Sequence, residues 1–137
     1  MNVTRLILNR YQAARDTTFL WGEQGLNNDC LHWAALVAQD ITGQDPIADI
    51  RGYTTEGAAK RIMVERGWKS IGDVAANYYQ EIPPALARTG DWATVRNEDG
   101  TDLVGVVVGS VVAARTPTGM GQVPRSRAER AFRVEAR

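Results

Sequence analysis

The 137-residue sequence contains one cysteine and one histidine. A single cysteine excludes an internal disulfide framework, and one cysteine with one histidine cannot complete a standard zinc site. No metal or cofactor is therefore expected. An excess of either charge is also lacking, since Lys plus Arg (16) equals Asp plus Glu (16). That removes the basic footprint on which a dedicated nucleic-acid binder depends. No stretch approaches the roughly 20 apolar residues that span a bilayer, so no membrane insertion is expected. Met1-Asn2-Val3-Thr4-Arg5 is not a basic segment followed by a long apolar run. No signal peptide is read there, and synthesis in a reducing cytoplasm is expected. Acidic residues are scattered, with no pair suggesting a glycosidase couple. Gly100, Gly105 and Gly109 do not link a strand to a helix, which argues against a phosphate-cradling loop. Repeats, low-complexity tracts and linkers are absent too, so one domain over residues 1–137 is expected.

What the sequence does contain divides into two textures. The first half reads as helices. Leu6, Ile7, Tyr11 and Ala14 give residues 4–15 an amphipathic spacing. From Cys30 to Thr42, the residues Trp33, Ala34, Val37, Ala38 and Ile41 form a buried helix stripe, with Asn28 or Asp29 as cap and Gly43 as stop. A third helix is expected over residues 55–66. A fourth opens at Ser70-Ile71-Gly72-Asp73, a capping-box pattern, and runs through Tyr78-Tyr79, one ring inward and one outward, to Pro83-Pro84. The second half reads as strands at 91–95, 103–108, 111–115 and 131–134. Turns are expected at Asn97–Gly100, at Gly109-Ser110 and around Pro117, Gly119 and Gly121. Helices followed by a small antiparallel sheet make an α+β layout. Six Arg against two Glu from Arg115 to Arg137 give a basic tail that suits an acidic partner.

The chemically suggestive stretch is Phe19 to Cys30, a Gly- and Asn-rich loop that delivers the only thiol to a helix start. A helix N-terminus favours thiolate, which is how a cysteine nucleophile is prepared. The alternative is that Cys30 is a small apolar core residue. A nucleophilic thiol needs a base, usually histidine. His32 lies two residues on, and i and i+2 do not share a helix face. His32 should point about 160–200° away from Cys30 and sit on the surface or half-buried. No Cys–His dyad is visible. A redox-sensing thiol is a third possibility, but it requires an exposed cysteine of low pKa, whereas Cys30 falls on the buried stripe. The four Trp read mainly as packing anchors, with Trp21 beside Gly22 able to line a groove.

These motifs resemble the NlpC-type cell-wall peptidase superfamily, whose fold is papain-like. There, an aromatic-x-Trp-Gly loop leads to Asp-Cys at a helix start; here Phe19-x-Trp21-Gly22 leads to Asp29-Cys30. A Gly-Asp pair entering the first strand corresponds to Gly90-Asp91. A His-x-Gly-apolar-apolar-apolar-Gly strand corresponds to Leu103-Val104-Gly105-Val106-Val107-Val108-Gly109. Thr42-Gly43-x-Asp45-Pro46, Arg51-Gly52-Tyr53-x-Thr55 and Ala131-Phe132-Arg133-Val134 resemble a small uncharacterised branch encoded among tail genes of phages and gene transfer agents. The resemblance implies a papain-like fold with Cys30 in the nucleophile position and Trp21, Gly22, Asp29 and Asp91 as the binding set. It departs from the family where it matters most: Leu103 occupies the histidine position, and Val111 to Ala114 offer no third polar residue. Two functions follow as expectations. One is a structural or docking component of a phage-like tail tip or baseplate, located in the virion tail, with other tail proteins as partners and peptidoglycan as a further contact. The other is an active peptidoglycan cysteine endopeptidase that aids DNA entry through Cys30.

Overall fold

The computed structural model describes residues 2–15, 29–116 and 118–136. Among them run four helices and six strands. The helices are α1 (Val3–Arg15), α2 (Cys30–Thr42), α3 (Glu56–Glu65) and α4 (Ile71–Tyr78). The strands are β1 (Gln80–Ile82), β2 (Trp92–Arg96), β3 (Asp102–Val108), β4 (Val111–Thr116), β5 (Gly119–Pro124) and β6 (Arg130–Arg133). All pair antiparallel in the order β1-β6-β2-β3-β4-β5. Strand β6 therefore returns to lie between β1 and β2. The α+β layout read from the sequence is the one observed.

Helix α2 is the axis of the fold. Asp29 caps it by accepting the His32 backbone N–H at 2.8 Å, and Gly43 ends it at φ +78°, a conformation that glycine reaches without a Cβ penalty. Leu31 through Ala35, Val37 and Ala38 are all buried. Two indoles tie the helix to its neighbours. Trp33 Nε1–H donates to the Arg10 carbonyl of α1, and Trp92 Nε1–H of β2 donates to the Ala34 carbonyl, each at 3.1 Å. Strand alternation then sorts the sheet into two faces. Val104, Val106, Trp92, Ala113 and Phe132 join the helices in one apolar cluster. Ala93, Val95, Leu103, Val107, Val112, Ala114 and Ala131 form a second. Cys30 packs against both.

Gly105 is demanded by this packing. A Cβ there would lie 2.5 Å from the Ala113 carbonyl oxygen and 2.8 Å from Val112 Cγ1. Gly90 is demanded by conformation as well as space, with φ +102° and a Cβ position 3.1 Å from Val3 Cγ1.

Several expectations need correction. β1 was read as the end of a helical half, but it is a strand because β6, about fifty residues later, provides its ladder. Of the turn expected around Pro117, Gly119 and Gly121, Pro117 lies outside the described residues, and Gly119 and Gly121 both belong to β5, which pairs with β4. Tyr78 and Tyr79 are both buried. Tyr78 is the last helical residue and Tyr79 is already extended (φ −134°, ψ 151°), so the usual divergence of neighbouring helical side chains does not apply. Tyr78 reaches Asp49 through its hydroxyl at 2.9 Å, and Tyr79 packs edge-on against Trp92 with centroids 4.9 Å apart. Among the described residues, no helix is long and apolar enough to cross a membrane.

Candidate functional site

A groove of about 670 Å³ opens at the N-terminus of α2. Its floor carries Asp29, Cys30 and Tyr53. Met63 and Trp68 line its helical side, and Asp102, Leu103 and Arg115 its sheet side. Cys30 is half-buried here, and the backbone N–H groups of Val104 and Leu31 are close enough to favour its thiolate. They do not prevail. Burial first, and the adjacent Asp29 carboxylate second, push the Cys30 thiol up to about 12 from its ordinary 9.0. A thiol held that high is protonated at neutral pH, the opposite of an activated nucleophile. The same elevation argues against redox sensing, which needs a low-pKa thiol.

Beneath the thiol lies a buried polar triangle. Asp29 accepts the Tyr53 hydroxyl at 3.0 Å, and His32 Nδ1 lies 3.0 and 3.1 Å from its two carboxylate oxygens. Tyr53 Oη is 2.9 Å from the same Nδ1. A carboxylate only accepts, so Nδ1 carries the proton and donates. Tyr53 stands edge-on to the imidazole at 4.9 Å. Burial, followed by the Asp29 charge, raises the Tyr53 phenol well above its ordinary value, so it stays a donor. The expectation that His32 is a surface or half-buried residue is wrong. It is fully buried, because α2 has almost no solvent-facing side at this end, and Asp29 and Tyr53 satisfy the Nδ1 that burial would otherwise leave costly. Its Nδ1 is committed to a structural carboxylate.

The sheet side has a different character. Leu103, buried in β3 opposite Val95, occupies the position where the resemblance places a base, and its isobutyl group can neither accept nor donate a proton. Val112 to Ala114 are buried aliphatics. Arg115 follows them, buried, donating to the Ala14 carbonyl. Burial lowers its pKa, but a guanidinium remains a cation and is not a general base.

Of the remaining members of the expected set, the structure describes one. Asp91 does not line the groove. It is buried where the chain enters β2, accepting the Arg88 N–H at 3.0 Å, the Val134 N–H at 3.1 Å and Arg133 Nε–H at 3.1 Å. It clamps the C-terminal strand. Trp21 and Gly22 lie outside the described residues. Tyr53, Met63 and Trp68 were not singled out for the groove. Tyr53 lies 24 residues from Asp29, and its one signal in the sequence is its place in the Arg51-Gly52-Tyr53-x-Thr55 resemblance. Among the described residues, no group of three or more His, Cys, Asp or Glu is placed to hold a metal ion.

Comparison with known proteins bears on the fold. A family profile described as "Domain of unknown function (DUF6950)" matches residues 3–134. Among solved structures, the crystal structure of the NlpC/p60 domain of the peptidoglycan hydrolase SagA aligns with a TM-score of 0.58. The alignment covers 97% of this chain and 99% of that one, at 18% sequence identity. At that identity the likeness establishes an NlpC/p60-type fold and no more. No curated protein matches the sequence.

Proposed function

Because the chain belongs to the DUF6950 family, a domain of unknown function on an NlpC/p60-type fold, we propose that it is a non-hydrolytic relative of the cell-wall peptidases and serves as a structural or docking component of a phage-like tail tip or baseplate. The observation that carries the non-hydrolytic part is Leu103 on the groove wall beside a thiol pushed up to about 12. Loss of a general base removes about 10²–10⁴ in rate. Members of a catalytic triad fail as a unit, so a cysteine without its base retains little. The single histidine of the sequence is occupied at Nδ1 by Asp29 and Tyr53.

The tail assignment is supported by the sequence resemblance around Thr42–Pro46, Arg51–Thr55 and Ala131–Val134. The groove beside Cys30 is the surface through which such a component would meet a tail subunit or peptidoglycan. The competing reading is an active peptidoglycan cysteine endopeptidase. In its favour stands Cys30 at the start of a helix capped by Asp29, and it requires a base from a neighbouring subunit. Quantitative mass spectrometry of purified tailed particles tests the assignment. The chain should appear in fixed ratio to tail subunits. Its absence from particles, with recovery only from the host lysate, contradicts the proposal.

A further inference from the structure

The two edges of the sheet are built differently. Edge β1 has three residues, carries Glu81 in a bidentate pair with Arg130 (2.8 and 3.0 Å) and runs into Pro83-Pro84. Shortness, charge and proline are the devices that keep foreign strands off an edge. Edge β5 has six residues, Gly119-Met120-Gly121-Gln122-Val123-Pro124, and none is charged. Among the described residues no strand lies on its outer side.

The ladder with β4 determines which backbone groups β5 leaves open. The Arg125 N–H donates to the Ser110 carbonyl at 2.9 Å, so position 125 faces β4. Alternation along an antiparallel pair makes Val123, Gly121 and Gly119 face β4 as well, opposite Val112, Ala114 and Thr116. The N–H and C=O groups of Met120 and Gln122 therefore point outward, while Pro124 has no N–H to offer. Gly121 is the telling residue. Unlike Gly105, it is not demanded by the chain's own packing: a Cβ there would meet Thr116 Cγ2 at 3.5 Å, an ordinary contact, and its φ is not in the left-handed region. Glycine inside a strand often marks the close approach of another backbone.

We propose that β5 pairs antiparallel with β5 of a second copy of this chain, about a two-fold axis at Gly121. In that register Met120 lies opposite Gln122 of the second copy, and each such pair exchanges both N–H···O bonds, so the outward N–H groups are all used. Gly121 meets its counterpart in the non-hydrogen-bonded position, where Cα atoms come to about 4.5 Å and a missing side chain is an advantage. No like charges meet, because the strand has none, and a formal net charge of zero gives no long-range repulsion. The pairing joins two six-stranded sheets into one.

Sedimentation equilibrium of the full chain across the micromolar range tests this. A mass of twice the 15.0 kDa chain is expected. Gln122→Pro removes an N–H that β4 does not use and, from the side chain, a long 3.4 Å hydrogen bond to Tyr11 Oη. It should sediment as a monomer with an unchanged far-UV spectrum, and its thermal midpoint should no longer depend on protein concentration. In a Cys30→Ala background, Gly121→Cys should cross-link two copies under mild oxidation, since about 4.5 Å between Cα atoms is within disulfide reach. A wild-type chain that stays monomeric overturns the proposal. So does a dimer that survives Gln122→Pro and gives no Gly121→Cys cross-link.

Discussion

On the helical wall of the groove, one carboxylate ties the polar groups together: Asp29 caps α2, holds His32 Nδ1 and receives the Tyr53 hydroxyl. On the sheet wall stand Asp102, Leu103 and Arg115, with no histidine among them. One wall presents a cysteine at a helix start, and the other has a leucine where the resemblance places the histidine. The framework also holds the fold together, since the helix cap and the His32–Tyr53 network are buried parts of the core. A proton-accepting residue on β3 has no such duty. A leucine at that position adds apolar burial.

The largest effect is expected from removing the keystone of the helical wall. Asp29→Ala deletes the α2 cap and leaves Tyr53 Oη and His32 Nδ1 without their carboxylate. A loss of about 3–4 kcal/mol, from one cap and two buried hydrogen bonds, should be seen by urea denaturation. A fall under about 1 kcal/mol would mean that the network contributes little. Next comes the sheet wall's backbone. Gly105→Ala forces a Cβ to 2.5 Å from the Ala113 carbonyl and should cost about 2 kcal/mol in the same assay, as overpacking of a strand pair.

The third variant attempts to undo the difference between the walls. Leu103→His places an imidazole on the side that lacks one. A neighbouring imidazolium favours thiolate, so the Cys30 pKa should fall from about 12 and alkylation by iodoacetamide at pH 7 should speed up at least about tenfold. An unchanged rate would show that Leu103 does not stand in for the base. The last effect concerns pH and is confined to alkaline solution. Between about pH 9 and 12 the unfolded chain releases the Cys30 proton while the folded chain keeps it, so stability declines as pH rises through that window. Cys30→Ala removes this contribution. The difference in stability between wild type and variant should therefore shift in the variant's favour above pH 9, and be flat below it.

How far the sequence could be read follows from the range of the forces involved. Helix α2 was legible because its stripe (Trp33, Ala34, Val37, Ala38) and its Asp29 cap lie within one turn or two of each other. The Gly90-Asp91 pair and the Gly105 strand were legible as motifs, though the roles became clear only in three dimensions. Asp91 clamps Arg133 and Val134, and Gly105 makes room for the Ala113 carbonyl. The fate of His32 was not legible. It depends on Tyr53, 21 residues away, and on how completely α2 is covered. Strand β1 was missed for the same reason, because its partner β6 lies near the other end of the chain and three residues carry no pattern of their own.

The central claim, that the groove keeps a peptidase framework without its chemistry, is tested most directly by cleavage. Purified wild-type chain and Cys30→Ala are each incubated with peptidoglycan, and released peptide fragments are measured by mass spectrometry. Equal, background-level release by the two proteins is the predicted result. Fragments produced by the wild type and abolished by Cys30→Ala would contradict it.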